Sequence, residues 1–151
     1  MNVFCDTTVL VAASLQAHVH HSPAKAALER ISRGDDVGFT SGHCLAETFS
    51  VLSRMPTVPK LRPQDVLAIL ETNVIPHFTL LVLAAVDYPQ TVRDLAGRGL
   101  GGGRIYDLLH LAAARKETLD RIYTFNDTEW KNLAPDLEPL IATPMATAAT
   151  S

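Results

Sequence analysis

The sequence predicts an α/β fold, a three-layer α/β/α sandwich around a central, mostly parallel sheet of four to five strands. Short apolar runs alternate along the chain with longer segments of helical character, the pattern of a parallel sheet covered by crossover helices. The first run, Val3-Phe4-Cys5, is continuously apolar and stops at Asp6, as a strand buried on both faces does. The chain has 151 residues, 47% hydrophobic and 19% charged, which suffices for one domain with a sizeable core and excludes a disordered polymer. No repeat at a period of about 20–50 residues is visible, so solenoids and propellers are excluded as well. Residues 1–144 are expected to form the single domain. Residues 145–151 are small and polar enough to be a disordered tail.

After the first strand, residues 8–16 read as a helix, and Pro23 opens a second helix over 23–33 that Gly34 closes. His18, His20 and His21 fill the turn between them. A surface turn is the better reading of these histidines, because no Cys or carboxylate lies beside them to complete a metal site. Asp35-Asp36 makes a turn, 37–40 a short strand, and Ser41 caps a helix that runs to Arg54 and ends before Pro56 and Pro59. Pro63 starts a helix over 63–73, 78–82 is a third strand, and 88–98 is a helix. A glycine-rich stretch over 97–103 breaks structure ahead of the strongest helix, 104–116. A fourth strand at 121–124, a short helical turn at 128–132 and an edge strand at 140–142 complete the series.

The longest apolar run, 78–86, is about half of the ~20 residues needed to span a bilayer, so it is expected to be core. No basic region precedes an apolar stretch at the N-terminus, so a cleaved leader is not expected. Cys5 and Cys44 form no C-x-x-C and are too few for a disulfide framework. A reduced, cytoplasmic setting follows, with both thiols as small core residues. The net charge of −3 gives no general attraction to nucleic acid, so any such contact must be local.

Ligands of open α/β sheets bind beyond the carboxyl ends of the strands, where strand order reverses. Asp6 follows the first strand directly, and Asn126-Asp127 follows the strand ending at Thr124. At 100° per residue, Leu45, Phe49 and Leu52 form an apolar stripe that leaves Glu47 off the core. Ile105, Leu108, Leu109 and Ala112 do the same for Asp107. Each acid alone fits an ordinary role: Asp6 as a helix cap, Asp107 as a complement to a helix dipole, Glu47 as a solvated residue. Together at a strand-end cleft they make an oxygen-rich site suited to Mg²⁺ or Mn²⁺. Crowded without metal they would repel, so at least one should have a raised pKa that metal reverses.

These residues resemble the PIN-domain ribonucleases, and especially the VapC toxins of bacterial toxin-antitoxin modules. The opening Val3-Phe4-Cys5-Asp6-Thr7-Thr8-Val9-Leu10 is similar to the family's apolar strand ending in Asp-Ser/Thr. Ala46-Glu47-Thr48-Phe49 matches the helix with its second acid, and the block from Arg104 through Asp107 to Ala113 matches the helix with the third. Thr124-Phe125-Asn126-Asp127-Thr128-Glu129-Trp130 resembles the fourth motif, where either Asn126 or Asp127 could enter the site. Order and spacing agree over nearly the whole chain.

The resemblance implies a PIN-like sandwich, an Mg²⁺- or Mn²⁺-dependent endoribonuclease and a toxin role. Asp6 and Asp107 would bind the metal, directly or through water. Glu47 would complete the pocket and orient the attacking water. It also implies an RNA substrate, a VapB-like antitoxin and a homodimer. Lys60, Arg62, Arg93, Arg98 and Arg104 are the candidate RNA contacts, and the amides of Gly101 to Gly103 a weaker one. The glycine run lacks a Walker Lys-Ser/Thr ending, which excludes a nucleotide loop. Phe125 and Trp130 are expected to anchor the fourth motif in the core. A non-cleaving RNA- or protein-binding module is the alternative. A phosphotransfer domain is disfavoured, since Asp6-Thr7-Thr8 lacks Asp-x-Asp and no Lys follows a late strand.

Overall fold

The computed structural model describes residues 1–146. Of the expected tail, Met145 and Ala146 belong to no helix or strand, and the remainder lies outside the described residues. The elements are β1 (Asn2–Cys5), α1 (Thr7–Ser14), α2 (His21–Ser32), β2 (Val37–Ser41), α3 (Gly42–Arg54), α4 (Pro63–Asn73), β3 (Phe78–Leu81), α5 (Asp87–Gly97), α6 (Arg104–Ala114), β4 (Arg121–Tyr123), α7 (Asp127–Leu133) and β5 (Ile141–Ala142), with a 3₁₀ turn at Pro135–Leu137. All four strand pairings are parallel, in the order β3-β2-β1-β4-β5. Among the described residues no helix is long and apolar enough to cross a membrane.

β1 divides the interior. Val3 and Cys5 join Val9, Leu10, Leu28, Ile31, Val66 and Leu70 beneath α1, α2 and α4. Phe4 points the other way, into Leu95, Leu108, Leu111, Ile122, Trp130 and Leu133 beneath α5, α6 and α7. This is the period-2 alternation of a strand with helices on both sides. The layers meet closely at Gly38 in β2, where an added Cβ would lie 2.5 Å from Ile31 Cγ2 of α2.

The path of α3 differs from the expected one. Its buried residues are Cys44, Thr48 and Leu52, whereas Phe49 is 38% exposed. Cys44 belongs to one core cluster and Leu52 to the other, so α3 crosses the end of the sheet and does not lie flat on one face. Thr48 enters this stripe because its hydroxyl donates to Cys44 O at 2.7 Å. α6 is likewise wider in burial than a single stripe. Leu108 through Leu111, Ala113 and Ala114 are all buried, while Ile105 and Ala112 are only partly so, since α6 packs against both α5 and β2.

The apolar run at 78–86 is core only at Phe78 and Leu81. Val82 and Val86 are exposed, because β3 is an edge strand and the chain beyond it runs over the surface.

From β1 the chain builds outward through β2 and β3, then returns to add β4 and β5 on the other side. Strand order therefore reverses between β1 and β4, and a crevice opens beyond their carboxyl ends.

Candidate active site

Asp6 stands at that reversal. Its amide donates to Tyr123 O at 3.1 Å, which joins the ends of β1 and β4. Its carboxylate is buried at 2% exposure. Oδ1 accepts from Thr8 Oγ1 at 2.6 Å and from Val9 N at 3.1 Å, capping α1. Oδ2 accepts from Thr124 Oγ1 at 2.7 Å. The carboxylate that caps α1 is thus also the one that stands at the strand-order reversal. The two threonine hydroxyls also accept from Phe125 N and Asn126 N, at 2.9 and 3.0 Å, which fixes the β4–α7 turn against Asp6. Burial raises the Asp6 pKa to about 6, and its hydrogen bonds oppose this only in part.

Glu47 lies in the middle of α3, where that helix passes over the crevice. Its Oε1 is 3.7 Å from His110 Nε2, and its side chain is 36% exposed. His110 is buried. Its Nδ1 lies 3.2 Å from Ser41 Oγ and 3.1 Å from Cys44 Sγ, while Nε2 has no hydrogen-bond partner. The nearby imidazole is the main reason the Glu47 pKa is lowered, with burial opposing it and the Thr7 hydroxyl adding to it. Burial opposes charge on the His110 ring, but its contacts with the Cys44 sulfur and the Glu47 carboxylate outweigh this, and its pKa is raised. Thr7 Oγ1 is a second buried polar atom without a partner.

Asp107, in the first turn of α6, accepts from Trp130 Nε1 at 3.2 Å. The indole is fully buried, so Trp130 anchors the fourth motif as expected and also fixes an acid. Burial is the first cause of the raised Asp107 pKa. Trp130 and His110 oppose it, and repulsion by Glu129 and Glu47 contributes less. Raised carboxyl pKa values are thus present at Asp6 and Asp107, with burial as their leading cause, while His110 lowers the pKa of all three acids and acts most strongly on Glu47.

The fourth motif contributes Asn126 to the cleft. A cavity of about 500 Å³ is lined by Thr7, Thr8, His20, Glu47, Phe125 and Asn126, among others. Asp127 is not among its lining residues and pairs instead with Lys131 at 3.5 Å. Phe125 packs partly on the core, yet its ring also faces this cavity and stacks on His20. His110 carries no role in the sequence reading. Its signal was the spacing of three from Asp107, which puts both on one helix face, and the leucines around it hid that signal.

Residues 3–134 match the model of the PIN domain. The chain belongs to the PIN-domain family. Ribonuclease VapC40 of Mycobacterium tuberculosis is 35% identical over 104 residues, covering 69% of this chain and 72% of that protein. Ribonuclease VapC27 of the same organism is 33% identical over 126 residues, covering 82% and 86%. Among solved structures, M. tuberculosis VapC20, described as a Sarcin-Ricin loop cleaving toxin, superposes with a TM-score of 0.66 at 18% identity, over 89% of this chain and 95% of that one. VapBC2 of Rickettsia felis, bound to a DNA fragment from its promoter, gives 0.67 at 18% identity, over 96% and 100%. At that identity the two structures speak to the fold, which they share with this chain.

PIN-domain ribonucleases generally depend on a divalent metal ion, and the donors of this PIN domain fit one in kind. Asp6 and Asp107 offer hard carboxylate oxygens whose raised pKa values a cation would reverse. Thr7 Oγ1, a buried polar atom without a partner, lines the same cavity as Glu47. Among the described residues no three His, Cys, Asp or Glu side chains are grouped closely enough to hold an ion by themselves. A cation there would keep part of its water shell, as Mg²⁺ does.

Proposed function

We propose that this PIN-domain chain is a divalent-metal-dependent endoribonuclease, using Mg²⁺ or Mn²⁺, and the toxin of a toxin-antitoxin pair. The observation that carries this reading is the placement of Asp6 at the strand-order reversal, with Glu47 3.7 Å from His110 and Asp107 one helical turn before His110 on α6. Asp6 and Asp107 would hold the ion, which when bound supplies positive charge to the reacting phosphoryl group.

The chain's own residues do the rest. Ionised Glu47, kept in that state by the adjacent imidazole, orients the attacking water. The His110 imidazole, with Nε2 3.7 Å from Oε1, faces the Glu47 carboxylate as an electrostatic partner, and the Thr7 hydroxyl stands beside it. The Thr8 and Thr124 hydroxyls keep Asp6 in one orientation. Asn126 borders the cleft where substrate would enter.

A VapB-like antitoxin is the proposed partner, RNA the substrate and the cytoplasm the setting, each supported by membership among the VapC ribonucleases. The exposed Val82, Val86, Tyr88 and Val92 offer apolar surface for the proposed homodimer. One domain over 1–144 remains the proposed extent.

The deciding experiment is cleavage of mixed RNA by the purified chain with Mg²⁺, with Mn²⁺, with EDTA, and after Asp6→Asn or Asp107→Asn. Cleavage that needs metal and both acids is expected. Asn126 in the cleft, one carboxylate fewer than Asp127 would give, favours the alternative of a non-cleaving binding module. Stable RNA binding with no cleavage in any metal would establish that alternative.

A further inference from the structure

Two ring pairs, each with an exposed member, lie near the acids. In one, His20 stacks on Phe125, with ring centroids 4.3 Å apart and planes inclined by 12°. Both line the cavity that also holds Glu47 and Asn126. A second pair is His43 on Tyr106, at 5.5 Å and 13°. His43 is one helical turn before Glu47, and Tyr106 immediately precedes Asp107. His20, His43 and Tyr106 are exposed, so neither pair is explained by core packing, and Phe125 joins its pair to the interior as a fixed base.

We propose that these pairs are platforms for unpaired RNA bases next to the scissile phosphate. The proposal rests on the ribonuclease reading. Single-stranded RNA is recognised by stacking splayed bases on Phe, Tyr and His rings. A stacking grip suits this chain because its electrostatic grip is weak. Of the candidate cations, Arg62 is tied to Asp65, Arg98 to Asp94 and Arg104 to Glu129. The net charge is −3. An exposed ring face can take a nucleobase in offset stacking. Protein side chains seated on the same rings are the competing occupant, and the test separates them.

Cleavage kinetics on short single-stranded RNA would be compared for the wild-type chain, His20→Ala, Tyr106→Ala, and the ring-retaining His20→Phe and Tyr106→Phe, with folding checked by thermal melting. Stacking lost per base predicts a KM rise of roughly 5- to 100-fold in each alanine variant. The expected kcat stays within a few-fold, and Phe restores KM. An RNA with an abasic nucleotide beside the cleaved bond should show the same rise with the wild type and no further rise with the alanine variant. Unchanged KM, a fall confined to kcat, or wild-type efficiency on abasic RNA would overturn the platforms.

Binding of a 2-aminopurine-labelled single-stranded RNA keeps the two readings apart. Quenching that disappears in the alanine variants supports the platforms even if no RNA is cleaved. Equal quenching in all variants, with loss only of antitoxin-peptide binding, assigns the rings to a protein partner and overturns them.

Discussion

Burying Asp6 costs stability when its carboxyl is ionised. A carboxyl whose folded pKa is about 6 against an ordinary 3.8 binds protons more tightly when folded, so folding loses stability as pH rises from about 4 through 6 and is flat above. Two pKa units correspond to a penalty on the order of 2–3 kcal/mol at neutral pH without metal. Asp6→Asn should therefore be inactive on RNA yet at least as stable as the wild type at pH 7.5, by up to about 2 kcal/mol, with the difference vanishing near pH 4. Urea denaturation of the metal-free proteins at pH 4, 5.5 and 7.5 reads this directly. A variant less stable at pH 7.5 would mean that the cap and threonine hydrogen bonds outweigh desolvation. Asp6 was legible in the sequence because an acid after an apolar run is a strand-end signal. His110 was not, since only the third dimension shows that α3 brings Glu47, Ser41 and Cys44 onto its ring.

At the scale of elements, α3 is the piece that joins the cap to the site. Ser41 Oγ accepts from Cys44 N at 2.8 Å and also meets His110 Nδ1. Ser41→Ala should cost about 1 kcal/mol as a lost cap and lower RNA cleavage by more than that stability loss explains, because the ring behind Glu47 loses a partner. Ser41→Thr, which caps nearly as well, should keep both, and paired melts and cleavage rates distinguish the two effects. The other element contact to test is α2 against β2. Gly38→Ala would force a methyl into Ile31 and against Phe78, a cost of about 1–3 kcal/mol by overpacking. A melt unchanged by this substitution would show that α2 can slide. Caps and breakers such as Ser41, Pro63 and Gly34 marked the elements in the sequence, so their existence and order were legible. The face that α3 buries was not, because a helix crossing the end of a sheet takes its inward side from two clusters, which a single-stripe projection cannot represent.

For the molecule as a whole, the negative charge and the paired arginines make one problem: how a phosphate chain is held at all. Lys60 and Arg93 are the candidate cations outside any ion pair among the described residues, while Asp6, Glu47 and Asp107 repel a phosphate at the site itself. A divalent ion bound there, as proposed, would reverse the sign at that point and leave the rest of the surface as it is. RNA affinity should then depend strongly on metal and weakly on monovalent salt. With about two phosphates neutralised by protein cations, the slope of log affinity against log salt should be no steeper than about −2, given ~0.7 per phosphate for single strands. Titrating a labelled single-stranded RNA at several KCl concentrations, with Mg²⁺ or with EDTA at matched ionic strength, measures both quantities. The metal-free protein should bind at least tenfold more weakly. Equal affinity in EDTA together with a steep slope would mean that the paired arginines let go of their carboxylates for RNA, and that the acidic cleft is not where the phosphate chain is held.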